Sequence, residues 1–132
     1  MYKNEREFSQ KFCSALKKRK MHPVQIETGL TQQGVPDLFV MTHGDDVWIE
    51  LKNIWECTPH IIPWRPGQQA WHIKYYKHHN KNKCVYTVCA MKHNYVVIRM
   101  IKMFVDNIVH NEDVICFNSI DEVIDYVTSL QL

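Results

Sequence analysis

Asp37, Glu50 and Lys52 are residues whose types and spacing could do chemistry together. Asp37 closes the run Gly34-Val35-Pro36-Asp37, and Glu50, the start of Glu50-Leu51-Lys52, lies thirteen residues further on. From Val47 to Lys52 the chain alternates, with Val47, Ile49 and Leu51 on one face and Trp48, Glu50 and Lys52 on the other. Leu38 to Met41 is an apolar run with strand character, and His43-Gly44-Asp45-Asp46 supplies turn chemistry, so the whole reads as a β-hairpin. A turn centred on His43-Gly44 sets Asp37 opposite Glu50, and one centred on Gly44-Asp45 sets it opposite Lys52. Either register keeps all three on one face. Two converging carboxylates make a hard oxygen site of the kind Mg²⁺ or Mn²⁺ prefers. A lysine beside such an ion can orient or deprotonate an attacking water and offset charge on a phosphate. An acid-x-Lys pair on a strand is by itself ordinarily a solvated face. The Pro-Asp before the turn and the apolar strand around each half give it weight here.

Several elements must position these residues. From Glu5 to Lys20, Phe8, Phe12, Ala15 and Leu16 form one apolar helical stripe, with Pro23 ending the helix and Val24-Gln25-Ile26 a short strand. Gly29 to Gly34 reads as a loop, as does Asn53 to Arg65 with Trp55, Pro59, Pro63 and Trp64. A second helix starts near Pro66, carries Gln69, Ala70, Ile73 and Tyr76 at helical spacing, and fades at Asn80-Lys81-Asn82. Cys84 to Ala90 and Tyr95 to Ile101 read as strands turning at Lys92-His93-Asn94, and Val114 to Phe117 as a last short one. Ser119-Ile120-Asp121-Glu122 is a capping box, which predicts a helix from Ile120 to about Leu130. This order of elements predicts a mixed α/β sandwich around a central sheet.

The 132 residues suit one domain, 45% hydrophobic and 23% charged. No apolar run reaches membrane-spanning length, and Met-Tyr-Lys-Asn-Glu-Arg-Glu lacks the apolar core of a signal peptide, so an intracellular, cytoplasmic protein with no membrane partner is expected. Five scattered cysteines without a C-x-x-C pair, and eight histidines without H-E-x-x-H spacing, speak against a zinc or redox motif. Residues 1–102 hold all 16 Lys and Arg and 8 of the 14 acids, giving +8; residues 103–132 hold the other 6 acids, giving −6, and the total is +2. A basic body with an acidic end fits a polyanionic partner.

Pro36-Asp37 with Glu50-Leu51-Lys52 resembles the motif of the PD-(D/E)xK nuclease superfamily. Gly34-Val35-Pro36-Asp37-Leu38, Trp48-Ile49-Glu50-Leu51-Lys52-Asn53 and Arg65-Pro66-Gly67-Gln68-Gln69-Ala70-Trp71 are similar to the small virus- and phage-type VRR-NUC nucleases and the related archaeal-type Holliday-junction resolvases, over roughly residues 4–100. The resemblance implies a restriction-endonuclease-like α/β core, αβββαβ, over about residues 4–101, with a C-terminal extension over about 102–132. It implies a Mg²⁺- or Mn²⁺-dependent endonuclease acting on DNA, branched in the resolvase manner; a restriction, homing, flap or single-strand nuclease and an inactive DNA-binding module are the alternatives. Asp37 and Glu50 would ligate the metal with the Leu51 carbonyl, Lys52 would position the water, and Gln68 would support Lys52 or the phosphate. Glu5 would be the carboxylate of the first helix, with Glu7 its alternative. Lys17, Lys18, Arg19, Lys20, Arg65, Lys74, Lys77, Lys81 and Lys83 are the candidates for phosphate contact, against plain solvation. Trp55 and Trp64 either pin the long loop or stack on bases. Resolvases of this type imply a homodimer. The long aromatic loop after Lys52 and the tail from Met103 depart from the family pattern.

Overall fold

In the computed structural model, which describes residues 2–26, 35–55, 67–78, 85–100 and 111–129, the chain opens on helix α1 (Glu5–Lys18). Asn4 turns its side-chain oxygen onto the Glu7 amide at 2.9 Å, capping one of the donors a helix start leaves without an internal partner. Glu5 and Glu7 at its start and Lys17 and Lys18 at its end complement the helix dipole. Phe8, Phe12 and Leu16 are fully buried along its stripe, each worth roughly 1.5–3 kcal/mol of burial. Ala15 packs against the same cluster. The helix stops before Lys20, and Pro23 does not end it. Instead the Lys20 and Met21 amides fold back on the carbonyls of Lys17 and Leu16 at 2.9 and 3.2 Å, with Lys20 in the left-handed region at φ 62°.

One sheet follows, its six strands ordered in space as in the sequence: β1 (His22–Gln25), β2 (Leu38–Met41), β3 (Val47–Trp55), β4 (Val85–Met91), β5 (Tyr95–Arg99) and β6 (Val114–Phe117). Pro23 falls inside β1, at the sheet edge where a missing N–H is tolerated. Neighbours are antiparallel except β3 and β4, whose parallel pairing is bridged by helix α2 (Gln68–His78). The β2–β3 register pairs Leu38 with Ile49, Phe39 with Trp48 and Val40 with Val47, which centres the turn on His43-Gly44. Thr42 holds that turn, its hydroxyl accepting from the Gly44 amide at 3.0 Å and donating to the Asp45 carbonyl at 2.7 Å. β3 runs on through Asn53, Ile54 and Trp55, so the expected loop begins later than Asn53; pairing with β4 extends the strand.

Helices α1 and α3 (Ile120–Ser129) cover one face of the sheet and α2 the other. Under α1 and α3 lie Leu38, Val40, Val47, Ile49, Leu51, Tyr86, Val88 and Val97, with Val123, Ile124 and Val127 inserted from α3. Under α2 lie Ile54, Val85, Cys89, Val96 and Ile98, with Trp48, Trp71 and Tyr75 packed on them. On α2 the inward residues are Gln68, Trp71, His72 and Tyr75, not the expected Gln69, Ala70, Ile73 and Tyr76; Gln69 and Ala70 are exposed. The helix carries no clean apolar stripe, and aromatic contacts with Trp48 set its rotation instead. Ser119 caps α3, its hydroxyl accepting from the Glu122 amide at 3.2 Å.

The C-terminal segment completes the sheet and core. Arg19 bridges to Asp121 and Asp125 of α3, and Arg99 to Asp113 at 2.9 Å. Part of the acidic end is therefore paired inside the molecule with the basic body. No described helix is long and apolar enough to cross a membrane. The expected Gly29–Gly34 loop, Trp64, Arg65, Pro66, Lys81 and Lys83 lie outside the described residues.

Candidate active site

The site grows from unequal strand lengths. β2 begins at Leu38, whose partner is Ile49, so Leu51 on β3 has no β2 residue to pair with. Asp37 lies one step beyond that last pair, in the bend before β2, which places it opposite Glu50, one of the two registers the sequence allows. Its Oδ2 accepts a hydrogen bond from the Leu51 amide at 2.9 Å. Its own carbonyl accepts from the Ile26 amide at 2.9 Å, which ties the bend to β1. A strand residue sends its N–H and C=O to the same edge, so the Leu51 carbonyl is turned toward Asp37 as well.

Glu50 and Lys52 project toward α2, and both are buried, at 1% and 2% exposure. Gln68, the first residue of α2, sits over them at 1% exposure. Its Nε2 donates to Glu50 Oε2 at 2.7 Å, and its Oε1 accepts from Lys52 Nζ at 3.4 Å. Lys52 Nζ lies 3.4 Å from the same Glu50 oxygen, which closes a three-membered network. Gly67 places Gln68 there. It holds φ 87°, a conformation that favours glycine, and its carbonyl accepts the Trp71 amide at 2.9 Å. Trp71 then packs edge-on against Trp48 at 5.5 Å and stacks on Tyr75 at 5.0 Å, while Phe39 meets Trp48 at 4.8 Å. His72, one turn after Gln68, is buried, and burial lowers its pKa to about 4, so it is neutral at physiological pH. On β4, Thr87 pairs with Glu50 and is fully buried, its hydroxyl without a hydrogen-bond partner among the described residues.

Toward α1, a cleft of about 240 Å³ is lined by Glu5, Arg6, Ser9, Gln25, Ile26, Asp37 and Leu51. Glu5 thus shares a cleft with Asp37, whereas Glu7 lies back against the Lys3 amide at 3.4 Å. Glu50 is not in the wall of that cleft. Among the described residues no three Asp, Glu, His or Cys side chains are gathered as a ready ion site. The cleft wall offers the carboxylates of Glu5 and Asp37 and no thiolate or imidazole, and such hard oxygen ligands suit Mg²⁺ or Mn²⁺ better than zinc.

Arg6, Ser9 and Gln25 were not legible as site residues. Arg6 follows Glu5 directly, which is a usable signal, but Gln25 reaches the cleft only through the pairing of β1 with β2. Among the described residues, the basic residues expected at phosphates are not gathered at the cleft. Lys17, Lys18 and Lys20 are exposed at the far end of α1, about 18 Å from Glu5 at 1.5 Å per helical residue. Arg19 does not stand free beside them, because its guanidinium holds Asp121 and Asp125. Lys74 and Lys77 are exposed on α2.

No protein-family model and no curated protein matches the chain. Among solved structures, Hjc of Archaeoglobus fulgidus, a Holliday junction resolvase from an archaeal hyperthermophile, matches with a TM-score of 0.54 over 93% of this chain and 90% of that one, at 11% identity. The chain shares the fold of that resolvase. The likeness to Hjc rests on the mixed six-stranded sheet flanked by helices.

Proposed function

We propose that the chain is a metal-dependent endonuclease that hydrolyses DNA phosphodiester bonds, with branched DNA of the Holliday-junction type as its substrate. The observation that carries this reading is the contact of the Asp37 carboxylate with the backbone of the Glu50-Leu51-Lys52 strand, inside a fold shared with a Holliday junction resolvase. Asp37 and the Leu51 carbonyl would hold Mg²⁺ or Mn²⁺ with Glu5 alongside, and Glu50 would join them on turning away from Gln68 and Lys52. When bound, such an ion supplies Lewis acidity and a more acidic water.

The chain's own residues do the rest. Lys52, almost fully buried, keeps its ammonium where solvent does not screen it, so it acts strongly on a water or a phosphate oxygen. Gln68 and Glu50 hold that ammonium in place from two sides. Arg6 on the cleft wall offers a guanidinium to the scissile phosphate. Lys17, Lys18, Lys20, Lys74 and Lys77 would contribute phosphate contacts further out, and Arg65 would be a further phosphate contact. A homodimer would present two such sites to the two strands of a junction.

The test is a cleavage panel of four-way junction, flap, nicked and linear duplex with and without Mg²⁺. Asp37→Ala and Glu50→Gln should abolish Mg²⁺-dependent cutting while far-UV circular dichroism shows a folded chain. Lys52→Ala should still bind Mn²⁺ in calorimetry but lose on the order of 10²–10³ in turnover. Cutting that survives EDTA would refute the metal mechanism, and equal cutting of linear duplex would remove the branched substrate.

A further inference from the structure

The cleft at Asp37 continues beyond Gln25. A second depression, of about 360 Å³, follows the seam between α1 and β1 and is lined by Gln10, Cys13, Ser14, Lys17, Pro23 and Gln25. Gln25 belongs to the walls of both depressions. On α1, Arg6, Gln10, Ser14 and Lys17 stand at i, i+4, i+8 and i+11, which is one helical stripe, and all four are exposed. Across the seam Pro23 and Gln25 are two apart on β1 and face the same way. The carboxylates of α1, Glu5 and Glu7, are confined to its first turn. Beyond them the stripe offers only an amide, a hydroxyl and an ammonium. Gln25 adds a second amide that is loosely held, 3.4 Å from Ser9 Oγ and 3.9 Å from Cys13 Sγ.

A seam meant for packing would be apolar and closed. This one is donor-lined, free of acids past Glu5, and open along a sheet edge. We propose that it is a track for the sugar-phosphate backbone of the DNA strand leaving the cleft, an inference that rests on the nuclease reading. The track runs from Arg6 to Lys17, about 17 Å at 1.5 Å per residue, or about five nucleotides at 3.4 Å of rise per strand. Donors of this kind meet phosphate oxygens and read no bases, so the track adds affinity for an arm of DNA without sequence preference. It also gives the distant Lys17 a connection to the cleft, one that Arg19, committed to α3, does not share.

The experiment uses the full chain and two junctions of one sequence, one with long arms and one with arms cut back near the scissile phosphate. The wild type should bind the long-armed junction more tightly. Gln10→Glu combined with Ser14→Glu should erase that advantage, a loss of about tenfold or more in Kd for long arms. Lys17→Gln should make the plot of log affinity against log salt shallower by about one. An intact long-arm advantage in the double variant, or an unchanged salt slope in Lys17→Gln, overturns the track. If the wild type cuts junctions with Mg²⁺ while these variants bind as it does, the track alone falls. If the wild type cuts no DNA, the nuclease reading falls and takes the track with it.

Discussion

Lys52→Met takes from the Glu50 carboxylate under α2 the ammonium 3.4 Å away. The two charges lie 3.4 Å apart at 2–3% side-chain exposure, which at an effective dielectric constant near 20 is a Coulomb term of about 5 kcal/mol. The hydrogen bond from Gln68 at 2.7 Å remains in the variant, so the expected loss of stability is about 3–5 kcal/mol, the range for a buried pair broken on one side. For a chain of 132 residues that is a fall in Tm of roughly 12–20 °C. Glu50→Gln takes the carboxylate from the ammonium in the same way and should lose a similar amount. Removing both charges together should destabilise far less than the sum of the two, with a coupling energy of at least about 2 kcal/mol. Urea unfolding followed by circular dichroism in EDTA measures all four corners of the cycle without any ion. Each of the three variants should lose on the order of 10²–10³ or more in cutting, so stability recovers in the double variant while activity does not. Additive single losses, or losses below about 1 kcal/mol as for exposed pairs, would mean that water reaches the pair and that α2 does not seat over β3 as described.

His72 predicts an acid limb. Burial lowers its pKa from 6.5 to about 4, so the unfolded chain takes up the proton first and stability present above pH 6.5 is lost as pH falls toward 4; between about pH 7 and about pH 5 the loss is roughly 2 kcal/mol, and His72→Leu should flatten that part of a pH series of urea midpoints. Thr87→Val removes a buried hydroxyl that lacks a partner among the described residues and should raise stability by about 1 kcal/mol; a loss instead would show that the hydroxyl is satisfied. Arg19→Ala should change stability by no more than about 1 kcal/mol and leave the salt slope of DNA binding as it is, in contrast to Lys17→Gln.

What the sequence made legible follows from where the information is local. Phe8, Phe12 and Leu16 announce α1 because the period of a helix is written in the residues that it buries. The hairpin is equally plain, since Val47, Ile49 and Leu51 alternate and a turn lies before them. Even the choice between two registers reduces to one residue of turn position, which the Thr42 clamp decides. The face of α2 was not legible, because its rotation depends on Trp48 from another strand meeting Trp71. The end of α1 was misread because a lysine in the left-handed region performs the stop usually assigned to glycine or proline. The cleft wall at Gln25 was invisible for the same non-local reason as α2, since it exists only once β1 lies beside β2. The burial of Glu50 and Lys52 was hidden too, because α2 supplies the cover.

The arrangement of the ends explains why the candidate site sits at this corner. Gln68 in the first turn of α2 meets Glu50 from one face of the sheet, and Glu5 in the first turn of α1 lines a cleft with Leu51 from the other. Two helix N-termini therefore approach the same three residues of β3 from opposite sides. Each brings partial positive charge from amides that have no partner within the helix, and Lys52 adds a full charge on the α2 side, 3.4 Å from Glu50. This field tolerates Glu5 and Asp37 on one side of β3 and Glu50 on the other, where carboxylates alone would repel one another. It also favours anions from outside, so the same positive ends that stabilise the resting carboxylates would attract a phosphodiester. Extending β2 by two residues would seal the Leu51 amide and carbonyl into the ladder and displace Asp37 from them. The short strand is thus what leaves the Leu51 amide to Asp37 instead of to the ladder.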